Sequence, residues 1–339
     1  MRFTVCKASS EGTPSKEQTS RGRRARKTKT STMNRIQNLK SCCILLLLTN
    51  VSSGLFVPKI LYESNRILAI DKPAGIAHHT EEDELGIISL LQEYYRSTSK
   101  ASRLYGVHRL DRVTSGILVL AKDPEMAGWL SKQFREKTIV KYYIGISHRK
   151  PKKKKQGWIK GKMTRGRRKS WYLESSTESS TNCAVTRFYT AGLGAMGEHC
   201  LPTKNTTLSS ANSDDELLSA KTCLLFRPHT GKTHQLRVAA KSVGLPLLGD
   251  PIYSPDTLPS AMTGNNRTFL HATAIHIPLP TETDDRDEQQ KVTIWSPPPF
   301  APMLWNEEIQ CDFDQIVYNL FDKYCECPEI LRKAKSLLR

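Results

Sequence analysis

The densest group of potentially reactive side chains lies at residues 108–112, which read His-Arg-Leu-Asp-Arg. Asp111 is the only acid in this run, so the sequence places a single carboxylate among basic side chains. Thr114 to Gly116 connects it to Ile117–Ala121, an apolar run typical of a buried strand. Reactive residues commonly lie on loops that rigid elements position. We therefore predict that Asp111 is a reactive carboxylate in the loop before this strand.

A second polar segment, residues 227–237, reads Arg-Pro-His-Thr-Gly-Lys-Thr-His-Gln-Leu-Arg. Its Gly-Lys-Thr triplet suggests a nucleotide-binding P-loop, but that motif requires glycine where Phe226 stands. A glycosidase would need a second carboxylate, and neither polar segment contains one. We interpret Asp250, which lies outside both segments, as a turn residue before Pro251. The residues instead favour chemistry on a nucleoside by one carboxylate that a nearby arginine keeps ionised.

Positive charge is concentrated in two segments of this chain of net charge +18. Residues 1–40 carry +9 and residues 149–169 carry +12, so the remainder is slightly negative. Aromatic side chains, Trp158 among them, are interleaved with the second segment, a pattern that favours binding to a nucleic-acid backbone. The predicted backbone contacts are Lys152, Lys153, Lys154, Lys155, Arg165, Arg167 and Arg168.

Nine scattered cysteines in a chain of this length are typical of a reducing compartment. Cys325 and Cys327 form the one closely spaced pair, and a single C-x-C without further ligands is weak support for a metal. We predict no metal site and no cofactor.

Residues 1–55 are predicted to be a basic disordered leader, because most of them lack apolar periodicity. Within it, the short apolar run 42–48 after a basic flank favours a targeting segment for a plastid or mitochondrion, with translation beginning at Met1 or Met33. A buried segment behind a disordered tail is the alternative, which would leave a cytoplasmic or nuclear protein. Residues 56–303 then form the predicted catalytic domain, and 304–339 a helical extension.

Apolar patterning predicts both strands and helices in the catalytic domain and the extension. The predicted strands are 60–62, 67–70, 117–121, 140–146, 184–189, 222–226, 269–277 and 292–295. The predicted helices cover 87–95, a segment that begins at Pro124 with Asp123 as its N-cap, residues 313–324 and a short stretch from Pro328.

Four motifs together resemble the RluA-type pseudouridine synthases. The run 108–116 is similar to that family's signature, and residues 231–237 with 249–253 are similar to its second block. Residues 72–75 (Lys-Pro-Ala-Gly) and 141–143 (Lys-Tyr-Tyr) match two further motifs. The resemblance extends from about residue 60 to about 300. It implies an α+β fold, with a mixed, mainly antiparallel sheet, flanking helices and a central active-site cleft.

The resemblance also implies that the protein isomerises uridine in ribosomal or transfer RNA without a cofactor. Asp111 would be the catalytic carboxylate, by attack on C1′ or by removal of the C2′ proton. Tyr143 would stack on the uracil, with Tyr142 as the alternative, and Arg237 would pair with Asp111. The implied substrate-binding residues are Arg109, His108, Thr114, Lys72, His234, Gln235 and Leu236.

Two features depart from the family pattern. Lys232 stands where arginine is usual, and no small RNA-binding domain precedes the catalytic region. RNA docking is then expected to involve residues 149–169, by a monomer without stable membrane association. The alternative function is an RNA-binding protein of the same fold that does not catalyse the reaction.

Overall fold

The computed structural model describes residues 58–81, 84–97, 103–152, 154–174, 183–195, 220–254, 267–280, 290–304 and 310–336. Its strands are β1 (Ile60–Glu63), β2 (Ile67–Lys72), β3 (Tyr105–Gly106), β4 (Ser115–Ala121), β5 (Val140–Ser147), β6 (Gln156–Arg165), β7 (Trp171–Glu174), β8 (Cys183–Gly192), β9 (Thr222–Pro228), β10 (Leu270–Pro278) and β11 (Lys291–Trp295). Its helices are α1 (Ile87–Ser97), α2 (Pro124–Glu136), α3 (Gln235–Ser242), α4 (Ala301–Leu304), α5 (Gln310–Tyr324) and α6 (Pro328–Lys335). The predicted leader, residues 1–55, lies outside the described residues.

The described strands form one sheet in the order β1-β2-β4-β10-β5-β9-β8-β6-β7, with β11 beside β10 and β3 beside β4. Within it, β4 and β10 are the single parallel pair and every other pairing is antiparallel. The prediction of a mixed, mainly antiparallel sheet with helices is therefore confirmed.

The register of the central strands fixes the spacing of the residues that matter for function. Gly116 of β4 pairs with Ala272 of β10, which pairs with Tyr143 of β5, which pairs with Phe226 of β9. Neighbouring strands lie about 4.8 Å apart. The loop before β4, the middle of β5 and the end of β9 are thus brought to one part of the sheet.

Gly116 is the residue that lets the loop approach β10 so closely. Its φ of 109° is in the region that favours glycine, and a Cβ there would lie 2.4 Å from the Ala272 carbonyl oxygen. No other residue type fits without moving one of the two strands. The glycine at position 116 therefore determines where the Asp111 loop ends.

The helices pack on the sheet through apolar faces. Asp123 caps α2 as predicted, since its carboxylate accepts the Met126 amide at 2.7 Å. Phe313 and Phe321 of α5 are fully buried, in a cluster with Tyr142 of β5. None of the described helices is both long enough and apolar enough to cross a membrane.

The basic segment contains structure that its charge pattern conceals. Its residues 156–169 form β6 and the turn into β7, whereas the charge pattern predicted only a charged surface. A period of two is nevertheless present: Ile159 and Met163 are buried, while Lys160 and Lys162 between them are exposed. Lysines on the solvent side of the strand masked this alternation.

Candidate active site

Asp111 lies in a tight turn between β3 and β4. The Thr114 amide donates to the Asp111 carbonyl at 3.0 Å, and the Gly75 amide donates to the Arg112 carbonyl at 2.8 Å. These bonds hold the turn against the loop that follows β2. The Asp111 carboxylate keeps 19% of its side-chain surface exposed, so it remains accessible from solvent.

Arg237 joins Asp111 to a second acid. Its Nη1 lies 3.2 Å from Asp111 Oδ2, while its Nε and Nη2 donate to Asp250 Oδ2 and Oδ1 at 2.7 and 2.9 Å. Burial alone would lower the pKa of Arg237, but bonds and charge from Asp250, and then the charge of Asp111, raise it. The guanidinium is therefore a fixed cation, held by the bidentate pair and directed at the Asp111 carboxylate.

Asp250 is the site residue that sequence reasoning missed. It is fully buried, and its Oδ1 also accepts the amides of Ile252 and Tyr253, each at 2.9 Å. The interpretation as a turn residue is correct but incomplete, because the same carboxylate anchors Arg237. Its position in the second motif block was the signal available, although spacing alone could not show which arginine it meets.

An open cleft of about 780 Å³ lies in front of Asp111. Most of the predicted catalytic and substrate-binding residues line it: Asp111, Tyr143, Arg237, Arg109, His108, Thr114, His234, Gln235 and Leu236. Segments more than one hundred positions apart contribute to its walls. The structure thus brings the two polar segments of the sequence to one place.

Tyr143 and Tyr142 point to opposite faces of β5. Tyr143 is half-buried and lines the cleft, and burial together with the Asp111 charge raises the pKa of its hydroxyl. Tyr142 is fully buried, packs on Phe321, and its hydroxyl accepts the Glu326 amide at 3.2 Å. Of the two tyrosines, only Tyr143 can therefore face a nucleotide in this cleft.

His108 is a neutral wall of the cleft. Its Nε2 accepts the Val119 amide at 2.9 Å, and its ring stacks on Phe134 with centroids 4.7 Å apart. Burial, with a smaller contribution from the charge of Lys141, lowers the pKa of His108 to about 3. The imidazole thus carries no charge near neutral pH, while Arg109 beside it is exposed.

Gln235 fixes the loop that precedes α3. Its Oε1 accepts the Thr230 hydroxyl at 2.7 Å and the Lys232 amide at 2.9 Å, while its Nε2 donates to the Thr186 hydroxyl at 2.9 Å. His234 has a φ of 56° and shares a 3.0 Å hydrogen bond with the Tyr253 hydroxyl. Burial lowers the pKa of His234, against the opposing charge of Asp111. Leu236 packs beneath this loop in an apolar cluster.

Lys72 lies under the Asp111 loop and does not reach the cleft surface. Its Nζ donates to the carbonyls of Pro73 and Ile76 at 2.8 and 2.9 Å and lies 3.5 Å from that of Arg112. Burial lowers the pKa of Lys72 to about 7, although the Asp111 charge acts in the opposite direction. A side chain with no exposed surface offers no atom to a docked nucleotide, so its placement favours support of the loop.

The connection from β5 to β6 and the β6–β7 hairpin present the predicted backbone-binding residues to solvent. All those within the described part of the chain are exposed: Lys152, Lys154, Lys155, Arg165, Arg167 and Arg168. Lys153 lies outside it. The hairpin is tied to the site, because the Trp171 amide donates to the Tyr253 hydroxyl at 2.9 Å, and that hydroxyl also contacts His234.

A group of potential metal ligands lies away from the cleft. Donor atoms of His276, Cys327 and Glu329 are within 4.8 Å of one another. Each already has a protein partner: Cys327 Sγ donates to Glu329 at 3.2 Å, and His276 Nδ1 bonds the Thr293 hydroxyl at 2.8 Å. The Cys325 thiol, the other half of the C-x-C pair, donates to the Cys327 carbonyl at 3.4 Å. We assign no metal here.

Comparison with known proteins identifies relatives of one kind. The family described as RNA pseudouridylate synthase matches residues 66–242. An uncharacterized RNA pseudouridine synthase of Haemophilus influenzae is 36% identical over 217 residues, which cover 64% of this chain and 80% of that protein. Ribosomal large subunit pseudouridine synthase C of Rickettsia bellii is 31% identical over 217 residues, and the match spans 62% of its length.

A solved structure shares the fold. Human RNA Pseudouridylate Synthase Domain Containing 1 superposes with a TM-score of 0.50 at 23% sequence identity, covering 75% of this chain and 88% of that one. At this identity the likeness concerns the fold alone. It agrees with the α+β fold described above.

Proposed function

The chain belongs to the RNA pseudouridylate synthase family, and we propose that it converts uridine to pseudouridine in RNA with Asp111 as the catalytic carboxylate. Membership confirms the predicted resemblance and enzyme class. The observation that carries the residue assignment is the 3.2 Å contact between Arg237 and the partly exposed carboxylate of Asp111, at the wall of a cleft lined by Tyr143.

The proposed reaction uses these residues in sequence. A uridine leaves its base stack and enters the cleft, because the reacting bond is otherwise shielded. Asp111, positioned by Arg237, either attacks C1′ or removes the C2′ proton, and in both routes the N1–C1′ bond breaks. The uracil turns and C5 bonds to C1′, which displaces the Asp111 carboxylate in the first route; in the second route Asp111 returns the proton to C2′. The C5 proton is then lost and N1 gains one, so the product is an isomer and needs no cofactor.

The remaining cleft residues have supporting roles in this proposal. Tyr143 stacks on the uracil, which limits the base to rotation in its own plane. Arg109 and the neutral His108 contact the flipped nucleotide at the cleft entrance. Lys72 and Asp250 act as positioning residues, since they hold the Asp111 loop and the Arg237 guanidinium without contacting substrate.

We assign ribosomal or transfer RNA as the substrate class, acted on by a monomer. The name of the Rickettsia relative favours ribosomal RNA. The exposed cations of the β6–β7 hairpin fit a polyanion, since they face solvent where phosphates can reach them.

The deciding experiment is tritium release from RNA labelled at uridine C5, prepared from cells that lack this protein. Wild type should release tritium, and Asp111→Asn should reduce the rate roughly 1,000-fold or more while keeping RNA affinity. Asp322→Asn, an exposed change on α5, is the control and should match wild type. Full activity of Asp111→Asn contradicts the assignment, and RNA binding without release by wild type favours the non-catalytic alternative.

A further inference from the structure

Trp158 on β6 is a large aromatic side chain left 49% exposed. Two cations flank its ring: the Arg187 guanidinium carbon lies 5.1 Å from the ring centroid and the Lys160 Nζ 5.4 Å from it. Arg187 stands directly opposite Trp158 in the register of β6 and β8. An exposed aromatic face between cations is the combination that binds unpaired nucleotides, since the ring stacks on the base and the cations contact phosphate.

Arg187 is already held in place for such a contact. Its Nε donates to the Tyr189 hydroxyl at 3.2 Å, and its guanidinium carbon lies 5.3 Å from the Tyr189 ring centroid. Tyr189 in turn stacks on Tyr324 of α5, with centroids 4.1 Å apart and planes 16° from parallel. The cation beside Trp158 is thus fixed by the core, so less side-chain entropy is lost when it binds.

One residue, His229, lies between the Trp158 ring and the active-site cleft. The Trp158 ring centroid is 5.0 Å from that of His229, which lines the same cleft as Asp111 and Tyr143. The buried Nε2 of His229 has no hydrogen-bond partner within the described part of the chain. His229 therefore forms the wall between the Trp158 ring and the cleft, with its ring rather than this buried nitrogen next to a bound base.

We propose that Trp158, with Arg187 and His229, is a stacking platform for an unpaired base beside the uridine that enters the cleft. The proposal rests on the proposed function, because it concerns the RNA that this site would modify. Extracting one nucleotide exposes the faces of its neighbours, and stacking on Trp158 offsets part of that loss. The platform is thus a second RNA subsite, distinct from the charged side chains of the hairpin.

Tyr172 offers a matched control on the same hairpin. It is 47% exposed and lies on the same face as Trp158, since it pairs with Thr164 in the alternation of β6. Its surroundings differ, because a hydrogen bond and the charge of Glu174 raise the pKa of the Tyr172 hydroxyl. An adjacent carboxylate repels phosphate, so Tyr172 is an exposed aromatic that should not stack on RNA.

The test measures binding of the full chain to two labelled probes, a short oligouridylate and an abasic ribose-phosphate oligomer of equal length. Trp158→Ala should weaken oligouridylate binding about tenfold or more, because a base loses its stacking partner. Trp158→Phe should recover most of that affinity. Both variants should bind the abasic oligomer like wild type, and Tyr172→Ala should leave both affinities unchanged.

The outcomes separate this proposal from the catalytic one. An equal loss for both probes would assign Trp158 to folding or charge placement, and an unchanged oligouridylate affinity would remove the platform altogether. Neither measurement depends on turnover, so absence of tritium release by wild type would overturn the proposed reaction while this binding comparison remained decisive.

Discussion

The Asp111–Arg237–Asp250 triad and the β6–β7 hairpin use charge in opposite environments. Arg237 is 3% exposed and Asp250 is fully buried, so each depends on the other as its charged partner. The predicted RNA-contacting arginines of the hairpin, and the described lysines just before it, are exposed and solvated. Buried charges can be aimed precisely but are costly to leave unpaired, whereas solvated charges act at longer range and tolerate replacement. One region is suited to chemistry and the other to docking.

The largest effect should come from breaking the buried triad. Arg237→Met leaves Asp250 without its partner and should lower the free energy of unfolding by about 3–5 kcal/mol, besides abolishing tritium release. Urea unfolding followed by circular dichroism measures the change. Arg332→Met removes a guanidinium that is 76% exposed and 3.9 Å from Glu329, and should have little effect.

Arg237→Lys separates the effect of the charge at position 237 from the effect of its hydrogen-bond geometry. Lysine keeps the charge but cannot donate two parallel hydrogen bonds to Asp250 while reaching Asp111. Stability should therefore recover more than activity does. If Arg237→Met unfolds at the same urea concentration as Arg332→Met, the triad does not contribute to stability as described.

An intermediate effect is expected in the basic connection that precedes β6. Replacing Lys152 to Lys155 by glutamine should weaken RNA binding about tenfold or more at low salt and reduce the slope of log K against log salt by roughly 3. The urea midpoint should not move, because the described lysines of this group are solvated. Lys333→Gln with Lys335→Gln on α6 is the control, and an equal change in slope there would remove the special role of Lys152 to Lys155.

The smallest effect concerns the pH dependence of stability through Lys72. Burial lowers the pKa of this amine to about 7 in the folded protein, against about 10.4 in an unfolded chain. Between these values the unfolded state binds more protons, so the free energy of unfolding should rise with pH by about 1 kcal/mol per unit. Below pH 7 both states are protonated and the contribution is constant.

Lys72→Met cannot titrate and provides the reference. The difference in unfolding free energy between wild type and Lys72→Met should grow from pH 7 to pH 9, measured by urea unfolding at each pH. A difference that stays constant, or that shrinks as pH rises, would show that Lys72 remains charged in the fold.

Much of the fold was predictable from local sequence patterns. The predicted strands and helices are present, because continuous apolar runs and the Asp123-Pro124 start are signals contained in a few neighbouring residues. The β6–β7 hairpin was missed where alternation was weakened by lysines on its solvent face. Sheet order was not predicted, since strand pairing depends on contacts between distant segments.

The sequence, with its family resemblance, supplied the candidate reactive residues: one carboxylate at Asp111, an arginine at Arg237 and two adjacent tyrosines. Only the tertiary structure decided which tyrosine faces the cleft, that Asp250 holds Arg237, and that Lys72 lies beneath the loop. The physical reason is the distance along the sequence over which each kind of interaction acts. Residue type and short spacing fix which groups can react, whereas orientation and burial come from the sheet that packs segments over one hundred positions apart.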